Sequence, residues 1–349
     1  MNSEILIIIP AYNPPIELFE ALLAKLDGAF KNVLIVNDGS DEEYNKFFKK
    51  LEKKYHVLKH EYNLGKGKAI KTAYSFAIDN YPDVSAYVVI DCDNQHDVED
   101  MINCCQKAME HPDSLIIGVR DFSLANVPFK SKFGNIITRN IFKWLFNYSI
   151  SDTQTGLRAV SPNLAKKLLE VSGDRYNYEL KCLMACCENN IPIIEVPIKT
   201  IYIENNKESR FNPVKDSLII YKEFVNYYFK LFIPYLISLI AFLAIFYLLN
   251  SNDDLKALIL ANSLAGIINI IANILMNYKN IYYHNNISNN LVYVLKKILK
   301  YFIAGFFIYI SYNLLDMNLL ISKVLIDIIL TIIIYIIFRN VGFNGEKKN

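Results

Sequence analysis

Hydrophobic residues follow different patterns in the two halves of this chain. In residues 1–222, short apolar runs alternate with stretches in which apolar residues recur every three or four positions. The first pattern is typical of buried strands and the second of amphipathic helices. Between residues 231 and 338, long apolar stretches are separated by shorter polar connections. The chain therefore divides into an α/β part and an apolar helical part.

The α/β part alternates strands and helices in regular order. The predicted strands are Ile5–Ile9, Val33–Val36, Ala86–Ile90 and Ser114–Gly118, and the predicted helices cover 16–26, Lys66–Asn80 and Val98–Met109. This alternation predicts a Rossmann-like α/β domain whose sheet is mostly parallel and carries helices on both faces.

The apolar part contains four stretches that could cross a bilayer, which requires about 20 apolar residues. They are 231–250, 257–278, 298–315 and 318–338, and the last two include charged residues. Lys and Arg concentrate on one set of connections, so the positive-inside rule predicts that both termini are cytoplasmic. The predicted organisation is a cytosolic domain (1–212), an amphipathic juxtamembrane helix (213–230) and an all-α four-helix transmembrane domain (231–340). Residues 213–230 could equally be an interfacial hinge or a domain-packing helix.

Composition and cysteine content indicate the cellular compartment and the classes of partner that the chain would bind. The chain is 53% hydrophobic and 21% charged, with a formal net charge of +2, and we expect no nucleic-acid partner. All six cysteines lie in the α/β part without zinc-site spacing, which favours reduced, buried thiols in the cytosol.

Polar residues follow four predicted strands. Asp91 and Asp93 come after the run that ends at Ile90, and such carboxylates suit Mg²⁺ or Mn²⁺ bound to a diphosphate. The other strand ends carry Pro10-Ala11-Tyr12-Asn13, Asp38-Gly39 and Arg120. Any one of these groups alone could be explained as ordinary turn residues, because Asp, Asn, Gly and Pro often follow strands. Together they indicate one binding edge, because parallel strands present their carboxyl ends to the same crevice.

Five ordered motifs resemble those of family 2 inverting glycosyltransferases with the GT-A fold. They occupy residues 7–13, 36–40, 63–69, 91–96 and 151–159. The last motif, Ser-Asp-Thr-Gln-Thr-Gly-Leu-Arg-Ala, resembles the branch of dolichyl-phosphate mannosyltransferase and bacterial polyprenyl-phosphate glycosyltransferases. The resemblance covers roughly residues 4–222. The apolar part more loosely resembles a GtrA-type membrane domain.

The resemblance implies roles for the residues that match these motifs, and residue chemistry adds the remaining cations. The nucleotide-sugar-binding residues would be Pro10, Ala11, Asn13, Asp38, Gly39, Lys66 and Asp91. Asp91, Asp93 and Gln95 would hold the metal, and Asp152, Arg120 and Arg139 would be catalytic. The acceptor phosphate would contact Arg139, Gln154, Arg158 and Arg210. For Lys66, a plain helix start remains an alternative.

The predicted reaction is inverting transfer of one sugar from a UDP- or GDP-linked donor to a polyprenyl phosphate, expected to be undecaprenyl phosphate. It would occur at the cytoplasmic face of the cell membrane and serve cell-envelope glycan or protein glycosylation. A phosphate monoester has a second pKa near ~6 and is already anionic at neutral pH. Asp152 is therefore expected to orient the acceptor or stabilise the sugar rather than remove a proton.

Two alternatives remain open. The chain could be a GtrA-type translocator or scaffold with an auxiliary glycosyltransferase domain. It could also be a processive polysaccharide synthase, which the missing Gln-x-x-Arg-Trp signature disfavours: the single tryptophan, Trp144, follows Lys143. The sugar, the nucleotide and the oligomeric state stay open, with a homo-oligomer allowed.

Overall fold

The structure is a computed structural model of the whole chain. It describes residues 2–124, 127, 129–146, 148–201, 215–249, 254–276 and 287–338. The chain forms two compact units, Met1–Phe224 and Val225–Asn349.

The first unit contains one seven-stranded sheet. Its strands are β1 (Asn2–Ala11), β2 (Phe30–Asn37), β3 (His56–Lys59), β4 (Ala86–Val89), β5 (Leu115–Val119), β6 (Arg158–Val160) and β7 (Ile193–Pro197). Their spatial order is β3-β2-β1-β4-β6-β5-β7. Only β6 runs antiparallel to its neighbours, β4 and β5. The prediction of a mostly parallel sheet is confirmed, and the antiparallel strand is an addition to it.

In the described ranges up to residue 201, seven α-helices accompany this sheet. They are α1 (Ile16–Asp27), α2 (Asn45–Leu51), α3 (Lys66–Asn80), α4 (Val98–Glu110), α5 (Phe129–Phe146), α6 (Pro162–Leu168) and α7 (Asn177–Glu188). Helices α4 and α6 each begin after a residue whose side chain caps the helix. The Asp97 side chain accepts a hydrogen bond from Glu99 N, and Ser161 accepts one from Leu164 N. Such caps satisfy amide groups that have no partner inside the helix.

Strand β1 is buried on both faces. Ile5, Ile7 and Ile9 share one hydrophobic core with residues of α1 and α4, while Leu6 and Ile8, on the opposite face, are also fully buried. Burial on both sides explains why this strand is continuously apolar instead of alternating. Each such side chain contributes about 1.5–3 kcal/mol, so the sheet is a firm support for the loops at its carboxyl edge.

The second unit is helical, and the helix that leads into it begins in the first unit. Its helices are α8 (Lys215–Leu249), α9 (Asp254–Met276), α10 (Ile287–Tyr309), which continues into a π-helical turn at Ile310–Leu314, and α11 (Leu319–Phe338). The predicted juxtamembrane helix and first span form the single helix α8. Two stretches, Phe232–Leu249 and Leu255–Asn273, are long and apolar enough to cross a membrane. The four-span arrangement remains a prediction.

A buried ion pair lies inside the helical unit. Lys323 Nζ is 2.8 Å from Asp327 Oδ2 and donates to Asn262 Oδ1 at 2.6 Å. The ammonium also lies over the rings of Phe242 and Tyr301. These partners compensate a charge that would otherwise be costly in an apolar interior.

Candidate active site

The carboxyl ends of β1, β2, β4 and β5 lie along one edge of the sheet, because these strands point in the same direction. Asp38 follows β2, Asp91 follows β4 and Arg120 follows β5. The edge also receives Lys66, the first residue of α3. The strand-end residues singled out in the sequence therefore share one edge, as predicted for a crevice outside an open α/β sheet.

A half-buried ammonium joins two carboxylates at this edge. Lys66 Nζ lies 2.6 Å from Asp91 Oδ1 and 2.9 Å from Glu179 Oε1, which α7 supplies. Burial alone would raise the pKa of Asp91, but the charge of Lys66 lowers it below its usual range. Burial likewise opposes the charged form of Lys66, yet the two carboxylates raise its pKa above the ordinary value. Both groups are therefore charged at neutral pH.

Gly156 packs directly against Asp91. A Cβ atom at position 156 would lie 2.0 Å from Asp91 Oδ2, far inside van der Waals contact. Only glycine allows the loop before β6 to approach this carboxylate so closely. Gly156 lies in the fifth motif, but the sequence predicted no role for it, because the strand that follows, β6, was not predicted either.

Asp93 differs from Asp91 because Lys66 forms its ion pairs with Asp91 and Glu179, so its charge offsets the shift at Asp93 only in part. Burial and the negative charge of Asp91 raise the pKa of Asp93 to about 6, while a 3.1 Å hydrogen bond from Gln95 N opposes the shift. His96 is buried 4.0 Å from Asp91, and burial lowers its pKa to about 4, so the imidazole is neutral. Two close carboxylates with too little positive charge nearby suit a divalent cation. In the described ranges no three His, Cys, Asp or Glu side chains form a metal cage.

Asp152 forms a two-pronged pair with Arg120. Arg120 Nε donates to Asp152 Oδ2 at 2.7 Å, and the terminal Nη2 donates to Oδ1 at 3.1 Å. The backbone amide of Gln154 adds a bond to Oδ1 at 3.0 Å. Asp152 is 0% exposed. The parallel guanidinium bonds give this carboxylate a defined orientation, which a single point charge would not.

Asp38 is enclosed by the loop that precedes α3. Its oxygens accept hydrogen bonds from Leu64 N at 3.0 Å, Gly65 N at 2.8 Å, and the side chains of Asn63 at 3.1 Å and His60 at 2.6 Å. Only 2% of Asp38 is exposed. The predicted nucleotide contact of Asp38 remains a prediction, and its placement gives it a structural task as well. The role of His60 was not anticipated.

Asp38→Ala is expected to lower the free energy of unfolding by about 2–4 kcal/mol, because several buried donors lose their acceptor. The measurement is a thermal melt of the ligand-free protein in detergent. The matched control is Asp41→Ala, whose carboxylate receives a bond from Asn13 at the exposed surface; it should change stability by less than about 0.5 kcal/mol. An unchanged melting temperature for Asp38→Ala would leave nucleotide binding as the only role for this residue.

The loops after β1 and β2 support each other. Asn13 N donates to Ser40 Oγ at 2.9 Å, and Asp41 N donates to Asn13 Oδ1 at 2.9 Å. Gly39 has a φ of +68°, and a Cβ there would lie 2.1 Å from the carbonyl carbon of Tyr62. Pro10 and Ala11 form the buried end of β1. Four of the seven residues predicted to bind the nucleotide sugar, Pro10, Ala11, Asn13 and Gly39, thus lie in these two adjacent segments, and their contact with a nucleotide remains a prediction.

The residues predicted to hold an acceptor phosphate are placed differently from one another. Arg139 is exposed on α5, and Gln154 is half-buried beside Asp152. Arg158 is 5% exposed, and its guanidinium donates to the carbonyls of Thr155 at 3.2 Å and Glu179 at 2.6 Å. This placement favours a role for Arg158 in holding α7 near Lys66, and its phosphate contact remains a prediction. Arg210 lies outside the described residues.

This chain is similar to several known proteins. Residues 6–165 match the family model for glycosyl transferase family 2. A UDP-N-acetylglucosamine–dolichyl-phosphate N-acetylglucosaminyltransferase from Methanococcus voltae is 32% identical over 219 residues, covering 57% of this chain and 86% of that protein. An uncharacterized protein from Methanocaldococcus jannaschii is 28% identical over 225 residues, covering 63% of this chain and 91% of its own length. The structure is similar to that of glucosyl-3-phosphoglycerate synthase from Mycobacterium tuberculosis in complex with UDP. The TM-score is 0.47 and the identity 14%, and the match covers 64% of this chain and 79% of that one.

Proposed function

Because this chain belongs to glycosyl transferase family 2, we propose that it transfers one sugar from a nucleotide sugar to a polyprenyl phosphate at a membrane surface. The glycosyltransferase activity follows from the family. The acceptor is supported by the dolichyl phosphate in the name of the 32% identical relative and by two helices apolar enough to span a bilayer. Undecaprenyl phosphate and dolichyl phosphate share the chemistry that the site would recognise.

The observation that carries the proposal is the charge arrangement at the sheet edge. The charges of Asp91 and Asp93 interact, and Lys66 pairs directly with Asp91, while the pKa of Asp93 stays raised despite the same ammonium. We assign Asp91, Asp93 and Gln95 to a Mg²⁺ or Mn²⁺, which when bound supplies positive charge to the departing diphosphate. Lys66 holds Asp91 in its ionised form, so that this carboxylate is ready for a cation.

The chemistry needs no strong base. The bond from the anomeric carbon to the diphosphate oxygen breaks, and the nucleoside diphosphate leaves with the electron pair. A phosphate oxygen of the lipid forms the new bond from the opposite face, which inverts the configuration. Because that oxygen is already anionic, no proton has to be removed from it. Asp152 would then act through its charge and fixed orientation, with Arg120 holding it in place.

The test is transfer of labelled sugar by the purified full chain. The protein would be incubated in detergent with Mn²⁺ or Mg²⁺, undecaprenyl or dolichyl phosphate, and UDP-glucose, UDP-N-acetylglucosamine or GDP-mannose carrying the label. Chloroform-extractable label from one donor is expected. Asp93→Asn should reduce it at least about 100-fold, whereas Asp113→Asn, at an exposed aspartate beyond α4, should not change it.

The product formed with each acceptor distinguishes this proposal from a processive synthase and from a translocator or scaffold. Long-chain glycan formed without added lipid phosphate would favour a processive synthase. No product lipid from any donor would contradict the proposal and favour the translocator or scaffold. Product with only one of the two polyprenyl phosphates would identify the acceptor.

A further inference from the structure

The loop that carries Asp152 is held from behind by helix α5. Asn135 Nδ2 donates to the carbonyl oxygen of Ser151 at 2.8 Å, and Thr153 N donates to Asn135 Oδ1 at 3.3 Å. One side-chain amide therefore pairs with the backbone on both sides of Asp152. Asn135 is only 1% exposed, so bulk water does not compete for either bond in the folded protein.

Neighbouring contacts reinforce the same loop. Thr138 Oγ1, on α5, lies 2.8 Å from Thr153 Oγ1. From β7, Glu195 accepts a hydrogen bond from the hydroxyl of Ser151 at 2.7 Å. These contacts hold the flanking residues, whereas the Asn135 amide bridges the two peptide groups that set the direction of the Asp152 side chain.

We propose that Asn135 is a positioning residue for glycosyl transfer, which fixes Asp152 against Arg120 through the peptide groups of residues 151 and 153. This inference rests on the proposed role of Asp152. The pair with Arg120 requires both carboxylate oxygens to meet both guanidinium donors. A small rotation of the 151–153 backbone breaks one of these bonds, and misplacement of a catalytic group by about 1 Å can cost 100-fold in rate.

The kinetic test compares two asparagines of the same helix in the full chain. Asn135→Ala is expected to lower kcat about 10- to 100-fold and to leave the donor KM within about twofold. Asn140→Ala, at an exposed position five residues further along α5, should leave both parameters unchanged. Asn135→Asp preserves the shape and can still accept from Thr153, but its carboxylate cannot donate to Ser151; its kcat should also fall. In the Asp152→Asn background, Asn135→Ala should cause little further loss, because both changes disable the same group.

A second measurement does not depend on the acceptor. Amide hydrogen exchange over residues 151–154 is expected to become at least about tenfold faster in Asn135→Ala, since the loop opens more readily. If wild type forms no lipid product but exchange changes as expected, the proposed function fails and the positioning by Asn135 stands. Unchanged exchange, or an unchanged kcat in an active enzyme, would overturn the inference. A further loss of the usual size in the Asp152→Asn background would show a general structural role instead.

Discussion

Gly156→Ala is expected to reduce sugar transfer at least about 100-fold while the protein remains folded. The added Cβ would lie 2.0 Å from Asp91 Oδ2, so the carboxylate or the loop before β6 has to move. Asp91 cannot retreat freely, because Lys66 holds its other oxygen at 2.6 Å. The expected result is a displaced carboxylate at the proposed metal–diphosphate site.

A matched glycine provides the control for this substitution. Gly134, in α5, has nothing within 4 Å of the position that a Cβ would occupy. Gly134→Ala should therefore keep full activity and add up to about 1 kcal/mol of stability, as expected for alanine inside a helix. The measurement is kcat/KM for the donor at several Mn²⁺ concentrations, with a thermal melt for each variant. If Gly156→Ala transfers sugar at the wild-type rate, Asp91 does not need the position described here.

Asp152→Asn is expected to lower kcat by about 100- to 1,000-fold, with little effect on the donor KM. The substitution preserves size but removes the negative charge that faces Arg120. The asparagine amide can accept one guanidinium bond, whereas its NH₂ group would face the second donor. The variant therefore loses both the negative charge of residue 152 and its paired hydrogen bonds to Arg120.

The pH dependence of this variant separates two roles for Asp152. If Asp152 stabilises charge or orients the acceptor, its replacement should lower kcat by the same factor from pH 6.5 to 8.5, a range that lies above the lipid phosphate's pKa near ~6. If it removes a proton, the residual rate should instead recover as pH rises and hydroxide replaces the base. Asp121→Asn, at the exposed neighbour of Arg120, serves as the control and should have wild-type kinetics.

The strongly periodic elements could be predicted from the sequence. Strands β4 and β5 and helices α3 and α4 were expected within one residue of their observed limits, since each has a clear apolar run or helical stripe. Strands β1 and β2 were expected in the right places, but they extend up to three residues beyond the predicted apolar runs. Strands β3 and β6 were not expected. β3 begins and ends with polar residues, and β6 has only three residues whose pairing direction depends on where the chain returns to the sheet.

The sequence predicted several residues of the candidate site but not the contacts between them. Asp91, Asp93 and Asp152 belong to recognisable motifs, so the sequence alone could nominate them for a site that acts on phosphate groups. The contact of Glu179 with Lys66 joins residues more than a hundred positions apart, and nothing local to either one indicates the other. Arg158 likewise appeared suited to a phosphate, but as part of a short central strand it faces protein carbonyls.

The sequence by itself determined the class of architecture and the kind of chemistry. Apolar periodicity specifies strands, amphipathic helices and long apolar helices from neighbouring residues alone, and carboxylates at strand ends indicate cation and phosphate chemistry. Only the tertiary structure decided which charged and polar side chains contact each other. Lys66 pairs with Asp91 and Glu179, Arg120 pairs with Asp152, and Asn135 bridges the peptide groups around Asp152. These choices depend on distances of about 3 Å between atoms from remote parts of the chain, and those distances are set when the sheet and its helices pack together.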